Sequence, residues 1–185
     1  MTPPPATTLP PANTTAPAPT TELAAPPTGP HTLTPAELET LVRTLARRAD
    51  RWRPLVRHDP RSRVSTRLDV GPGIDAWVIS WTGPDHDTGF HDHDVSNAAV
   101  AVVEGAIVED VPVVTGSIGR TLQAGEVVSF DATHVHRMRH PGAGAAPAVT
   151  IHVYSPPLRS RGAYRIVNGV VRRAPQSADE ELVPG

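Results

Sequence analysis

The stretch that decides the fold is residues 75–104, DAWVISWTGPDHDTGFHDHDVSNAAVAVVE, where short apolar runs alternate with turn residues. The first run ends near the Gly-Pro-Asp segment at 83–85, and another begins soon after the His-Asp-His segment at 91–93. Runs of this length, rich in Val, Ile and Ala and bounded by Gly, Pro and Asp, predict β-strands separated by tight turns.

The same pattern of short runs and turn residues continues on both sides of this stretch. We predict strands near residues 64–70, 75–82, 89–94, 98–104, 106–114, 120–123, 127–130, 134–139, 148–154, 163–167 and 170–173. The Asn168-Gly169 pair between Val167 and Val170 is a strong signal for a type I′ hairpin. Short strands at this spacing indicate an all-β sandwich or barrel.

One helix is predicted before the strands. Thr34 is suited to cap a helix, Pro35 fits its first position, and Glu37 favours its first turn. Apolar residues then follow at helical spacing: Leu38, Leu41, Val42, Leu45 and Ala46. The pattern predicts an amphipathic helix that ends at about Ala49.

The N-terminal segment has a different composition from the rest of the chain. Of 185 residues and 22 prolines, the first 30 residues hold 10 prolines, and Pro, Thr and Ala fill 24 of those 30 positions. So few large apolar side chains cannot offset the entropy lost on ordering. We therefore predict a disordered tail over residues 1–32, a single domain over 33–175, and a loose polar tail over 176–185.

Composition excludes several classes of function. Without cysteine the chain has no disulfides, thiolate ligands or cysteine nucleophiles, and this is compatible with a cytoplasmic location. The net charge of −2 and the absence of a basic stripe argue against nucleic acid as a partner. The longest aliphatic run, residues 98–103, is far shorter than the ~20 residues of a spanning helix, so we expect no membrane segment. We likewise expect no secretory signal.

The histidines are clustered: seven of nine lie between positions 86 and 152. His91 and His93 share one face of a strand, and His134 and His136 repeat the arrangement about 40 residues later. Imidazoles from two strands can converge on one cation, and the spacing alone leaves Fe, Zn, Cu and Ni open. One such pair by itself is commonly structural. His134 and His136 are not both expected to bind the same metal as His91 and His93. One of them is expected to lie outside the ligand set.

The other histidines receive different predictions. We expect His31 and His58 in solvated loops and His86 in a surface loop, and we assign no role to His140.

Several motifs resemble the cysteine dioxygenase (thiol dioxygenase) family of the cupin superfamily. They occur in the family's order over residues 65–159, and the string His-Val-Tyr-Ser-Pro-Pro after His-Asp-His is the most specific part. The matching segments are Ser65-Thr66-Arg67, the strand end at Trp81, His91-Asp92-His93, Val102-Val103-Glu104-Gly105, His136-Arg137-Met138 and Ile151-His152-Val153-Tyr154-Ser155-Pro156-Pro157.

The resemblance implies a cupin-type (jelly-roll) β-barrel with one mononuclear non-haem Fe(II). Its ligands would be His91, His93 and His136, the last preferred to His134 because Arg-Met follows it as Arg-Val does in the family. The carboxylate ligand of many cupins is absent, since its positions are Asn97 and Ala98. Three neutral ligands would leave the full +2 charge on iron, which suits an anionic thiolate.

The resemblance also implies how the substrate is held. Arg67 matches the arginine that pairs with the substrate carboxylate. Thr150, His152 and Tyr154 match a Ser-His-Tyr hydrogen-bonded chain that places the phenol beside the reacting sulfur, with a cis bond before Pro156. Judged from the residues alone, Tyr154 and His152 would be ordinary core residues, and a solvated strand residue is the alternative for Arg67.

The activity implied is oxidation of L-cysteine by O2 to cysteine sulfinic acid. A monomer is one possibility, and the sequence leaves the oligomeric state open. Two departures from the family leave the substrate open. Ala98 replaces the cysteine that animal members cross-link to the tyrosine, and Ser65 replaces a common tyrosine. The alternatives are a dioxygenase of another small thiol acid such as 3-mercaptopropionate, and a metal-binding cupin without enzymatic activity.

Overall fold

The computed structural model describes residues 32–168, 170–178 and 180. The described chain begins with two α-helices and a 3₁₀ turn and continues as eleven strands. The helices are α1 (Pro35–Ala46) and α2 (Ala49–Trp52), followed by the 3₁₀ turn Arg53–Leu55. The strands are β1 (Val64–Arg67), β2 (Asp75–Trp81), β3 (His91–Asp92), β4 (Asn97–Glu104), β5 (Ala106–Val113), β6 (Gly116–Gln123), β7 (Val127–Phe130), β8 (Arg137–Arg139), β9 (Ala148–Ser155), β10 (Ser160–Val167) and β11 (Val170–Ser177).

The strands form a cupin barrel with two walls, as predicted. One wall is a five-stranded antiparallel sheet in the order β1-β2-β9-β4-β7. The other consists of two three-stranded sheets, β11-β10-β3 and β6-β5-β8. Isolated bridges, His91 to His136 and Asp87 to Arg139, connect these two smaller sheets. The seam between them therefore passes through the histidines.

The five-stranded sheet is buried on both faces, which explains its nearly continuous apolar strands. Its outer face packs against Leu38 and Val42 of α1 and Trp52 of α2. Its inner face packs against residues of the other wall, such as Ile107 and Met138. Successive residues of β9 alternate between the two cores, since side chains alternate across a strand.

The helix begins where predicted but ends earlier. Thr34 and Glu37 form a reciprocal capping box, which satisfies two N–H groups at the start of α1. The predicted end at about Ala49 was wrong, because α1 stops at Ala46 and a second short helix begins at Ala49. The indole N–H of Trp52 donates to the Ala46 carbonyl at 3.1 Å and so turns the chain back on itself.

All eleven predicted strands are present, most of them with shifted ends. β3 is only two residues long, and β8 begins at Arg137 rather than at 134. Before it the chain makes an Asx turn, in which Asp131 accepts from the Thr133 N–H, and His136 forms only an isolated bridge to His91. β10 and β11 pair from Val167↔Val170 outward, and β11 extends to Ser177, beyond the predicted end. Gly169 of the predicted hairpin turn lies outside the described residues.

Both predicted tails fall largely outside the described residues: 1–31 at the N-terminal end, and 179 and 181–185 at the C-terminal end. Within the part of the chain that the structure describes, no helix is long and apolar enough to span a membrane.

The contact between α1 and the sheet provides a test of the fold. Leu38 is completely buried between α1 and the five-stranded sheet. We expect Leu38→Ala to lower the free energy of unfolding by about 2–5 kcal/mol, because it removes apolar contacts and leaves a cavity. Urea denaturation measures this, with exposed Thr40→Ala on the same helix as the control. Equal stability of the two variants would contradict the packing described.

Candidate metal centre

The backbone brings His91 and His136 side by side. The N–H of each residue donates to the carbonyl of the other, at 2.8 and 3.0 Å, in an antiparallel pair. Directly paired residues have side chains on the same face of a sheet. His93, two residues beyond His91, is also directed to this face. The three buried rings have centroids 4.7–5.1 Å apart.

These three histidines form a group that could hold a metal ion. One nitrogen of each lies within 4.8 Å of the others. Nδ1 of His91 lies 3.1 Å from the Gly89 carbonyl, and Nδ1 of His136 lies 2.9 Å from Oε1 of Glu109. Since both partners are acceptors, each Nδ1 carries the hydrogen. The Nε2 lone pairs of His91 and His136 are then available to a cation.

Burial keeps these imidazoles neutral. It lowers the pKa of His91 and of His93 well below the usual range, and the neighbouring histidines lower both further. Burial also lowers the pKa of His136, although the Glu109 carboxylate opposes this. Three buried, neutral, converging imidazoles are the donor set that a divalent transition metal requires, so the residues fit a mononuclear metal site.

The structure separates His134 from this group. Its Nε2 lies 3.3 Å from the same Oε1 of Glu109, and its ring stacks on Phe130 at 4.8 Å between centroids. Glu109 is fully buried and also accepts a hydrogen bond from Arg120 at 2.7 Å. Burial would raise the pKa of Glu109, but hydrogen bonds from His134, His136 and Arg120 outweigh it and hold the carboxyl ionised. Neither Glu109 nor Phe130 was predicted from the sequence to lie near the histidines.

Asp92, between two of the histidines, anchors their strand. It accepts hydrogen bonds from the Gly162 N–H at 3.0 Å, the Tyr164 hydroxyl at 2.8 Å and the Arg173 guanidinium at 2.6 Å. β10 and β11 thus fix the short strand β3 from its outer side, so the His-Asp-His segment positions two imidazoles through the residue between them.

A hydrogen-bonded chain runs along the inner face of β9 toward the histidines. Thr150 Oγ1 lies 2.9 Å from Nε2 of His152, and Nδ1 of His152 lies 3.1 Å from the Tyr154 hydroxyl. The Trp81 indole N–H donates to Thr150 at 2.9 Å and extends the chain by one residue, a contact that the sequence did not predict. The Tyr154 ring lies 5.5 Å from the His93 ring, between centroids.

Burial determines the protonation states in this chain. It lowers the pKa of His152 to about 3, with a further contribution from the neighbouring His136, so the imidazole is neutral near pH 7. Burial raises the pKa of Tyr154 to about 12, so the phenol keeps its proton. The chain therefore ends in a protonated hydroxyl beside the histidines.

A cavity of about 340 Å³ opens beside these groups and is lined by His91, His152 and Tyr154. Two cations that the sequence analysis did not single out, Arg63 and Arg161, also line it. Arg161 donates to the backbone carbonyls of Ser177 and Glu180, so the C-terminal segment is held at the edge of this cavity.

Arg67 lines an adjoining cavity, which shares Tyr154, Arg161 and Ser65 with the first. It lies on the face of β1 that is directed to the site, opposite Trp77. Its guanidinium is 66% exposed and pairs with Asp75 at 2.7 Å. The structure therefore brings the histidines and the β9 chain together and places Arg67 at the outer side of the same region.

The histidines outside the group differ in their burial. The surface position predicted for His86 was wrong: it is buried, and its Nδ1 accepts from the Thr82 N–H at 3.0 Å, because the turn at 83–85 folds it inward. His140 is also buried, whereas His58 is exposed. His31 lies outside the described residues.

Asn97 and Ala98, which occupy the positions of the usual cupin carboxylate ligand, have structural roles in this protein. Asn97 binds the Leu33 carbonyl at 2.9 Å through its amide nitrogen and accepts from the Ala132 N–H at 3.2 Å. The Asn97 side chain therefore connects two backbone segments and does not contribute a ligand atom to the histidine group. Ala98 is fully buried in the inner core. The Ser155-Pro156 bond is cis.

Together, the two-walled barrel and its inward histidines define a metal-binding cupin. The model of a family described as cysteine dioxygenase type I matches residues 32–166, which is most of the chain. The protein therefore belongs to the cysteine dioxygenase type I family, the family that the sequence motifs resemble.

Several solved structures resemble part of the chain at low sequence identity. A protein of Thermus thermophilus is 19% identical over 57% of this chain and 93% of its own, with a TM-score of 0.48. A Klebsiella pneumoniae protein with a double-stranded β-helix domain is 16% identical over 66% and 92%, with a TM-score of 0.47. A cupin superfamily protein of Desulfitobacterium hafniense is 11% identical over 55% and 84%, with a TM-score of 0.46. No curated protein matches the chain.

The assignment of His136, rather than His134, to the three-histidine group can be tested by measuring metal content. We expect His136→Ala to lose stoichiometric metal, because its ring lies against those of His91 and His93. We expect His134→Ala to retain it, since His134 contacts Glu109 and Phe130 instead. Metal analysis after anaerobic loading and desalting distinguishes the two. Retention by the first variant and loss by the second would reverse the assignment.

The protonation of Tyr154 can be followed by its absorbance. With a pKa of about 12, its phenol stays protonated through pH 10, where an exposed tyrosine is half ionised. We expect the tyrosinate absorbance contributed by Tyr154 to rise only above about pH 11. The pKa of Tyr164 is also raised, by burial and by its bond to Asp92, so Tyr154→Phe identifies the contribution of each residue. A Tyr154 transition near pH 10 would show that the phenol is solvated.

Proposed function

We propose that the protein is a mononuclear non-haem iron thiol dioxygenase that oxidises L-cysteine to cysteine sulfinic acid. The observation that carries this proposal is the hydrogen-bonded chain that ends at protonated Tyr154 beside three neutral imidazoles. Membership in the cysteine dioxygenase type I family supports the same reaction.

The proposed ligands are His91, His93 and His136. An Fe(II) ion bound by them would supply the redox chemistry that joins O2 to a thiolate. Both oxygen atoms enter the sulfinic acid, and the sulfur supplies all the electrons that reduce O2, so no external reductant is needed. The histidines are neutral, so the site keeps the charge of the metal and favours an anionic sulfur.

Tyr154 is proposed to hold a proton toward the reacting atoms. The Trp81 N–H can only donate, so the Thr150 oxygen accepts from it. When the Thr150 hydroxyl donates to Nε2 of His152, Nδ1–H of His152 donates to the Tyr154 oxygen. The phenol hydrogen is then directed into the cavity, where it can stabilise developing negative charge on oxygen.

Arg67 is proposed to bind the substrate carboxylate. It lies on the site-directed face of β1, and the cavity that it lines also contains Tyr154. A guanidinium can bind a carboxylate through two parallel hydrogen bonds. The contact with Asp75 would hold Arg67 in place until a substrate carboxylate competes for it.

The proposal is tested by oxygen uptake after anaerobic loading with Fe(II). With L-cysteine we expect consumption of one O2 per thiol and a product heavier by two oxygen atoms, measured with an oxygen electrode and mass spectrometry. Faster uptake with 3-mercaptopropionate would move the protein to the alternative thiol acid. No uptake with either thiol, despite bound iron, would contradict the dioxygenase and leave a metal-binding cupin.

The role of Arg67 is tested by Arg67→Gln. We expect KM for L-cysteine to rise about 10- to 100-fold with little change in iron content, since a hydrogen bond to a charged group contributes about 1.5–3 kcal/mol. The matched control is Arg161→Gln, which removes another cavity arginine. If the control raises KM and Arg67→Gln does not, the carboxylate binds at Arg161 and the assignment fails.

A further inference from the structure

Glu109 lies beside the metal centre without belonging to the three-histidine group. It sits on β5, and its side chain has no solvent exposure. Oε1 contacts Nδ1 of His136 at 2.9 Å and Nε2 of His134 at 3.3 Å, and Oε2 accepts from Arg120 at 2.7 Å. A fully buried carboxylate is costly unless its oxygens are satisfied, and these three contacts satisfy them.

The contacts with the two histidines have opposite consequences. On His136, the acceptor engages Nδ1 and leaves Nε2 for the metal, in the way that carboxylates orient metal-ligating histidines. On His134, the same oxygen engages Nε2, so this nitrogen is occupied away from His91 and His93. One carboxylate thus distinguishes two histidines that the sequence spacing makes equivalent.

A second cation site is the other reading of this cluster, because Glu109, His134 and His136 also have ligand atoms within 4.8 Å of one another. The Arg120 guanidinium argues against it. It pairs with Oε2 of Glu109 at 2.6 Å, so a positive charge already offsets the charge of this carboxylate. The carboxylate is therefore already balanced without a metal.

We propose that Glu109 is the positioning residue of the metal centre: it selects His136 over His134 as the third ligand and places a negative charge one hydrogen bond from the donor set. The three histidines are neutral and the usual carboxylate ligand of cupins is replaced by Asn97 and Ala98. Glu109 therefore supplies, through His136, the anionic character that this centre lacks in its direct ligands. The inference rests on the proposed function only in taking the three histidines as the iron ligands.

Two substitutions of Glu109 distinguish its effect on the orientation of His136 from the effect of its negative charge. Glu109→Ala removes both the acceptor and the charge, and we expect its affinity for Fe(II) to fall about 10- to 100-fold. Glu109→Gln keeps an acceptor oxygen of the same reach but removes the charge. We expect a smaller loss of affinity and a more positive midpoint potential of the bound iron, because a negative charge near the metal favours Fe(III) and this variant lacks it. Anaerobic metal titration and redox titration measure both quantities without turnover.

Asp110→Asn is the matched control. Asp110 is the next residue on β5, is also buried, and pairs with Arg139 at 2.7 Å. The substitution alters a buried carboxylate–arginine pair of the same strand without touching a histidine of the group. We expect Fe(II) affinity and midpoint potential to stay at wild-type values in this variant. Circular dichroism and urea denaturation establish that each variant is folded.

Two results would overturn the proposal. If folded Glu109→Ala and Glu109→Gln both match wild type in affinity and potential, Glu109 acts only in packing. If wild type binds two equivalents of metal and Glu109→Gln loses one, the cluster is a second cation site. Neither readout depends on thiol oxidation, so a failure of the proposed activity would appear as absent oxygen uptake with these results unchanged.

Discussion

The two backbone hydrogen bonds between His91 and His136 determine both how the barrel wall closes and where the candidate metal centre lies. They close the seam between the two smaller sheets, and the same pairing directs both imidazoles into the barrel. Because the three-histidine group includes both partners, its geometry depends on the wall being closed. Asp92 holds β3 from behind through β10 and β11, while Glu109 holds His136 from β5. Each of the two histidines is therefore supported by the smaller sheet on its own side of the seam.

Burial sets most of the electrostatics of this interior. It keeps the histidines neutral and Tyr154 protonated, so these groups act as lone-pair donors or hydrogen-bond donors rather than as charges. Formal charges occur one step outside them, in balanced pairs such as Glu109 with Arg120 and Asp92 with Arg173. The three histidines are thus uncharged and the neighbouring carboxylates are balanced, as the proposed binding of a cation and an anionic thiolate requires.

Local patterns predicted much of the fold and part of the candidate site. Strand alternation and turn residues are local, so all eleven strands could be found, and the two His-x-His pairs stood out for the same reason. Glu109 could not be found, because a glutamate in an Ile-Val-Glu-Asp run reads as an ordinary solvent-facing strand residue and its partners are 11 to 27 positions away. The burial of His86 and the arrival of Arg161 at the cavity depend on how loops and sheet edges close, which no local pattern encodes.

The tryptophans of this chain are unevenly distributed around its candidate site. Trp77 and Trp81, two of the three, line the cavity, and Trp81 donates to Thr150 and stacks on His152 at 6.5 Å between ring centroids. Indole emission is sensitive to nearby hydrogen bonding and is quenched by transition metals. The intrinsic fluorescence of the protein is thus weighted toward the cavity, and the fold contains its own optical reporter of what enters it.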